Sequence, residues 1–277
     1  MDIRGENFQE IADIYIGCPD DFQFNPRIAC QTGKQMDIHT IGVIDGKYNN
    51  PSIVFLYPHR LQLFSEKIGY FMNPFSLITH NSDFNLENHF SFIREILENP
   101  LLISWYGQNL CFIHPKIRFL PIGFANSMWE HGKIDYLPLL NTEKTNDIFL
   151  NFNIYTNVEE RTECYNAMEF RVEHLPMVSA RENIERLSKY KWCICPQGNG
   201  VDTHRLWEAL ALKTIPIVRR TPFIETLMWH TNNELPIHIL ENWWEALELP
   251  EYNSNVFDKC KKWLSVDWYR NKIMSNT

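Results

Sequence analysis

The chain has 277 residues, 44% hydrophobic and 14% aromatic, enough to fill the cores of two domains. Lys and Arg number 26 against 34 Asp and Glu, a net charge of −8, which argues against a broad nucleic-acid surface or an anionic membrane patch. No run is long enough for a membrane span, Met1 to Glu10 is polar without a signal-peptide core, and seven cysteines without a framework spacing suit free thiols in a reducing, cytoplasmic compartment.

In chain order, short apolar runs predict strands at Ile11 to Gly17, Ile53 to Tyr57, Ser76 to Thr79, Leu102 to Trp105 and Phe119 to Pro121. Helical patterns fall at Arg60 to Ile68 and Leu86 to Glu98. Periodicity is lost over Leu137 to Asp147, which places a hinge between a domain of residues 1–142 and one of residues 148–277. The second half restarts with a strand at Ile148 to Ile154, a turn at Tyr155 to Asn157 and a helix over Glu159 to Phe170. A helix over Arg181 to Tyr190, a strand at Leu235 to Leu240 and a helix over Phe257 to Met274 follow, the last able to cross back onto the first domain. The expected class is α/β, with two layered domains, a cleft between them and ligands beyond the carboxyl ends of the strands.

Residues 190–218 carry the strongest chemical signal. Tyr190 to Cys195 is an apolar strand, Pro196 and Gly198-Asn199-Gly200 stop it, and Thr214 to Val218 is a second strand, so a parallel βαβ unit is predicted. The turn opens onto a helix N-terminus capped by Asp202 or Thr203, where unpartnered amides and the helix dipole attract phosphate. Arg205 and Glu208 share one side of that helix, a guanidinium for diphosphate oxygens and a carboxylate for ribose hydroxyls. The same spacing also allows an ordinary ion pair at i, i+3. Neither a G-x-G-x-x-G nor a Walker motif occurs, and ten scattered histidines without an H-E-x-x-H or a Cys/His quartet assign no metal.

The stretch CPQGNGVDTHRLWEALALKTIPIV resembles the nucleotide-sugar motif of exostosin-like (family 47-like) glycosyltransferases, through Pro196, Gly198, Asp202, Arg205, Glu208, Ala209, Ile215, Pro216 and Ile217. ITHNSD, LPIGFANSMWEHG, LNFNIYTNVEER and ELPIHILENWWE look similar in the same order. Lys213 stands where that family more usually has glycine, which bears on the helix stop alone. With no membrane anchor expected, the chain resembles in particular the small free-standing xylosyltransferase-type enzymes of large algal viruses, which glycosylate capsid protein.

The resemblance implies a GT-B fold of two Rossmann-like domains. It implies a UDP-sugar donor, UDP-xylose among the candidates, and a glycan or glycoprotein acceptor. Inversion without a tightly bound metal or cofactor goes with it, as does Arg161 beside the diphosphate. An inverting transfer needs a base in the first domain. Asp83 is the first choice, followed by Asp21, Asp20 and His80, although Asp83 also suits a helix cap. Arg219, Arg220 and Glu225, after the second strand of the motif, are candidates for the donor sugar. The alternatives are an inactive sugar- or nucleotide-binding module, a phosphorylase-like enzyme and a GDP-fucose transferase.

Overall fold

The computed structural model describes residues 2–42, 52–84, 86, 90–135, 137, 143–245 and 247–275. Residues 138–142 of the expected hinge and 87–89 of an expected helix lie outside these. The chain forms two compact units, Asp2–Ile122 with Ser265–Thr277, and Gly123–Leu264.

The first unit holds a parallel sheet of β1 (Ile14–Gly17), β2 (Gln35–Asp37), β3 (Ile53–Leu56), β4 (Phe75–Thr79), β5 (Leu102–Gly107) and β6 (Ile117–Phe119), in the order β2-β1-β3-β4-β5-β6. Every residue of β3 and β4 is buried, as parallel strands covered on both faces require. The buried hydroxyls of β4 are satisfied laterally: Ser76 Oγ meets Ser104 Oγ at 2.8 Å, and Trp105 Nε1 donates to Thr79 Oγ1 at 2.8 Å. Helices α1 (Gly5–Ile11), α2 (Pro19–Gln23), α3 (Pro26–Ala29), α4 (Leu61–Lys67) and α5 (Phe90–Glu98) belong to this unit. From β1 the chain goes to β2 on one side and to β3 on the other. The strand order thus reverses between β1 and β3, and it is beyond the carboxyl ends of strands at such a reversal that parallel sheets bind ligands.

The second unit carries β7 (Asn146–Phe149), β8 (Tyr190–Ile194), β9 (Ile215–Arg219) and β10 (His238–Leu240), all parallel, in the order β10-β9-β8-β7. The helices between them are α6 (Val158–Met168), α7 (Ala180–Leu187), α8 (His204–Ala211) and α9 (Pro222–His230). Leu150, just past β7, adds a single parallel rung to His174. Lys144 ties the unit together where β7 begins. Its Nζ donates to Ser188 O, Leu212 O and Thr214 Oγ1 at 2.7–2.8 Å, a cation at the carboxyl ends of α7 and α8.

Several boundaries differ from the sequence expectation. The strand expected to run to Ile154 ends at Phe149, where the chain turns into a short 3-10 turn at Ile154–Thr156 that Asn153 caps. The helix expected over Phe257 to Met274 is broken: 3-10 turns at Ser254–Phe257 and Cys260–Leu264 precede α10 (Val266–Met274), because Ser265 accepts from Trp268 N and starts a new helix. Only α10 belongs to the first unit, with Tyr269 edge-on to Phe8 at 5.4 Å and Lys272 O accepting from Tyr106 Oη at 3.0 Å. The units divide at Ile122/Gly123, ahead of the aperiodic 137–147 stretch, and the Gly123 carbonyl is already tied to His204 of α8.

Lys213 takes φ +55°, the left-handed C-terminal position of α8 that a glycine fills most easily. Among the described residues no helix is long and apolar enough to cross a membrane.

Candidate functional site

The segment between β8 and α8 is the strand–turn–helix that the sequence predicts. Pro196, Gly198 and Gly200 are buried and Asn199 is exposed. Asp202 is buried and turned inward, accepting from Trp207 Nε1 at 2.8 Å, so it anchors the turn to the helix. Thr203 is the N-cap, yet its side chain makes no capping hydrogen bond. The first turn of α8 is therefore not closed by its own cap residue, which suits an anion.

The glycine has a physical reason different from the expected one. A Cβ at residue 198 would lie 3.1 Å from Arg161 Nη2, so the turn is pared down to admit the arginine. Arg161 is delivered by the first turn of α6. Asn157 caps that helix, accepting from Glu160 N at 3.3 Å, and donates its Nδ2 to Gly198 O at 3.0 Å, locking helix start and glycine turn together. Arg161 then donates to Gln197 O and Asn153 O, both at 2.8 Å, with its guanidinium 5.5 Å from the Phe152 ring centre.

These partners are carbonyl oxygens. Among the described residues no carboxylate pairs with Arg161. Burial, and after it repulsion from Arg205, lowers its pKa to about 10. It stays charged at neutral pH, attracted at longer range by Glu160 but not paired with it.

Arg205 and Glu208 meet each other. Arg205 Nε donates to Glu208 Oε2 at 3.1 Å, Nη1 donates to Asn151 O at 2.7 Å, and the guanidinium lies 5.4 Å from the Phe149 ring centre. The side chains are 20% and 10% exposed, so this is the i, i+3 ion pair that the spacing also allows, in a buried form. Burial opposes the charge on Arg205, but Glu208 and the neighbouring thiols of Cys193 and Cys195 hold its pKa above the ordinary value. The pair braces α8 against the chain leaving β7.

A recess of about 260 Å³, counted with the solvent at its mouth, lies beside the turn. Gln197, Val201 and Thr203 line it from the turn, Arg219 from the end of β9, and Glu160 from α6. Arg161, Arg205 and Glu208 do not. Most of that volume is open solvent, and the enclosed part has room for about one water-sized group, so the recess is a shallow notch beside the turn. Arg219 Nη2 pairs with Glu160 Oε2, and Trp243 Nε1 donates to Glu160 Oε1 at 3.0 Å. Arg219 Nε is buried and makes no hydrogen bond, an unused donor at the recess wall.

No protein-family model and no curated protein matches the chain.

The other candidates fall in different settings. Arg220 is an exposed partner of Glu241 at 2.8 Å and of Glu225 at 3.6 Å. In the first unit, the expected proton acceptors differ sharply. His80 is buried, and its Nδ1 accepts from Asn81 N at 2.8 Å, which puts the ring proton on Nε2 facing Pro121 O at 2.8 Å. Both nitrogens are used by the fold.

Asp21 accepts from Cys18 N at 2.7 Å, from Arg60 Nε at 2.9 Å and Nη2 at 3.2 Å, and meets His59 Nε2 at 2.9 Å. Burial works against its charge. Arg60, the Cys18 amide and His59 outweigh burial and hold the carboxyl below the usual range. A carboxylate so stabilised is a poor base. Asp20 and Asp83 are exposed.

Sequence reasoning missed Asn157, Glu160 and Trp243. The Asn157-Val158-Glu159-Glu160 spacing, a capping residue with Glu at the third helical position, was a usable signal for the first two. His204 and His131 were also passed over. His204 Nδ1 bonds to Gly123 O at 2.7 Å, and the His131 ring stacks on Trp129. Desolvation and the neighbouring His204 lower the pKa of His131, which leaves it neutral at pH 7.

Proposed function

We propose that this chain is a glycosyltransferase of the GT-B type, moving a sugar from a nucleotide-diphosphate donor to a glycan hydroxyl. The second unit holds the donor, a UDP-sugar first and UDP-xylose among the candidates, and the first unit receives the acceptor. The observation that carries the reading is Arg161, a half-buried cation with no carboxylate partner among the described residues, seated against a glycine turn that opens onto a helix start. A diphosphate supplies the missing negative charge. Arg161 and the first amides of α8 hold the leaving phosphate, and fixed donors of this kind stabilise charge as it develops. Arg219, which lines the recess, lies on the side of the rest of the donor, and Arg205 with Glu208 keeps α8 in place behind the turn.

Inversion requires that an acceptor hydroxyl lose its proton as it attacks. With His80 and Asp21 bound up in the fold, Asp83 is the proposed base, exposed just after β4. Seven free thiols suit a reducing compartment such as the cytoplasm.

Isothermal titration with UDP and GDP, followed by donor turnover against a panel of glycan acceptors, tests the reading. Binding of neither nucleotide would overturn it. Asp83→Asn is expected to lower turnover by about 10²- to 10⁴-fold with little change in nucleotide affinity. Full turnover in that variant removes Asp83 from the role. The engagement of both His80 nitrogens and of Asp21 also favours a second reading, a nucleotide-binding module without transferase chemistry, which predicts binding with no transfer and no donor hydrolysis.

A further inference from the structure

The polar groups at the end of the first sheet hold a second constellation, set beside the Asp21 cluster and independent of the glycosyltransferase reading. Cys18 follows β1 directly, Asp37 ends β2, and His39 lies in the 3-10 turn Ile38–Thr40 that follows. Gly17 and Asp37 are register partners in neighbouring parallel strands, so the strands deliver Cys18 and Asp37 side by side. One ligand-type atom from each of Cys18, Asp37 and His39 lies within 4.8 Å of the other two.

We infer that Cys18, Asp37 and His39 bind one divalent transition-metal ion of the zinc class, leaving a fourth position for water or a ligand. Donor chemistry supports this first: thiolate, imidazole and carboxylate are the ligand types such an ion takes, and three protein ligands with one open position is a recurrent pattern. Geometry supports it second. With metal–sulfur and metal–nitrogen bonds of about 2.3 and 2.05 Å, the sulfur–nitrogen edge of a tetrahedron is about 3.6 Å. Cys18 Sγ and His39 Nε2 are 3.7 Å apart.

The supporting contacts agree. Asp37 Oδ1 accepts from His39 N at 3.0 Å, which fixes the turn and leaves the other carboxylate oxygen for the ion. Cys18 N donates to Asp21 Oδ2 at 2.7 Å, which holds the start of α2 and with it the position of the thiol. Charge also balances: a thiolate and a carboxylate match a divalent cation, while the nearest guanidinium, Arg60, is already held by Asp21.

The test uses the full chain stripped by a chelator and titrated with Co²⁺. One equivalent is expected to give a thiolate-to-cobalt charge-transfer band with the visible bands of a tetrahedral ion, and Zn²⁺ is expected to displace it. Cys18→Ser is expected to abolish the charge-transfer band. His39→Ala, at an exposed position, is expected to weaken Co²⁺ binding by more than the tenfold to hundredfold typical of losing an outer-shell partner. Cys30→Ser, an exposed thiol outside the cluster, is expected to keep full binding. Circular dichroism of each variant reports that it is folded. No charge-transfer band in the parent chain, or a band that survives in folded Cys18→Ser or at full affinity in His39→Ala, overturns the proposal.

Discussion

The carboxyl ends of the two sheets place charges in opposite states. At the end of β1 and β3, Asp21 is met by Arg60 and His59, so cation and anion answer each other within the fold. At the end of β8 and β9 positive charge is left over: among the described residues the hydrogen-bond partners of Arg161 are carbonyls, and Arg219 commits Nη2 to Glu160 while Nε stays unused. A self-satisfied cluster stabilises the protein and asks nothing of a ligand. An unmatched half-buried cation costs stability that an anion would restore, and on that asymmetry rests the proposal of an anion site at the second crevice.

The largest expected effect comes from removing the carboxylate that lines the recess. Glu160 is buried, and its two oxygens hold Arg219 and Trp243. Glu160→Gln adds a second uncompensated cation and is expected to cost about 3 kcal/mol, the lower end for breaking a buried pair, because Arg219 is 32% exposed. Thermal unfolding checks this, and pyrophosphate is expected to restore part of the lost Tm by replacing the missing charge. A variant as stable as the parent would mean that the pair is solvated and that the two crevices do not differ.

Next in size is Arg161→Met. The variant removes the unmatched charge and keeps much of the apolar stem, so nucleotide affinity is expected to fall by about 2–3 kcal/mol, roughly 30- to 150-fold. The stability of the ligand-free protein is expected to fall less than in Glu160→Gln, since the lost hydrogen bonds are offset by relief of a desolvated cation. Titration calorimetry and thermal unfolding separate the two quantities. Unchanged affinity would place the phosphate elsewhere.

The sequence makes some of this asymmetry legible. β8, the glycine turn, α8 and β9 could be read because apolar strands bounded by Pro196 and Gly198 leave little choice of fold. β2 could not: Gln35–Asp37 is three half-buried residues whose identity as a strand rests on pairing with β1, which carries no hydrophobic signature. α9 was readable and was passed over, since Thr221 caps it and Pro222 occupies its first turn.

For the site, spacing showed that Arg205 and Glu208 share a face but not what that face meets. The answer depends on Asn151 and Phe149, which arrive from a strand more than fifty positions earlier. Arg161 was found through a resemblance, and its lack of a counter-ion is a property of packing that no linear pattern encodes.

The smallest expected effect sharpens the first crevice. Asp21→Asn keeps an acceptor for Cys18 N but takes the negative charge from Arg60 and His59, and is expected to cost about 1–2 kcal/mol at neutral pH. The sign of its pH dependence follows from the depressed carboxyl. Above the unfolded pKa of about 3.9 the folded state holds the ionised form at an advantage, and that advantage is lost as pH falls through the lower folded value. The gap in urea midpoint between parent and variant is therefore expected to be constant from pH 7 to about 5 and to close on further acidification. A gap that persists to pH 2 would show that the variant loses packing rather than charge, and the first crevice would no longer stand as the neutralised counterpart of the second.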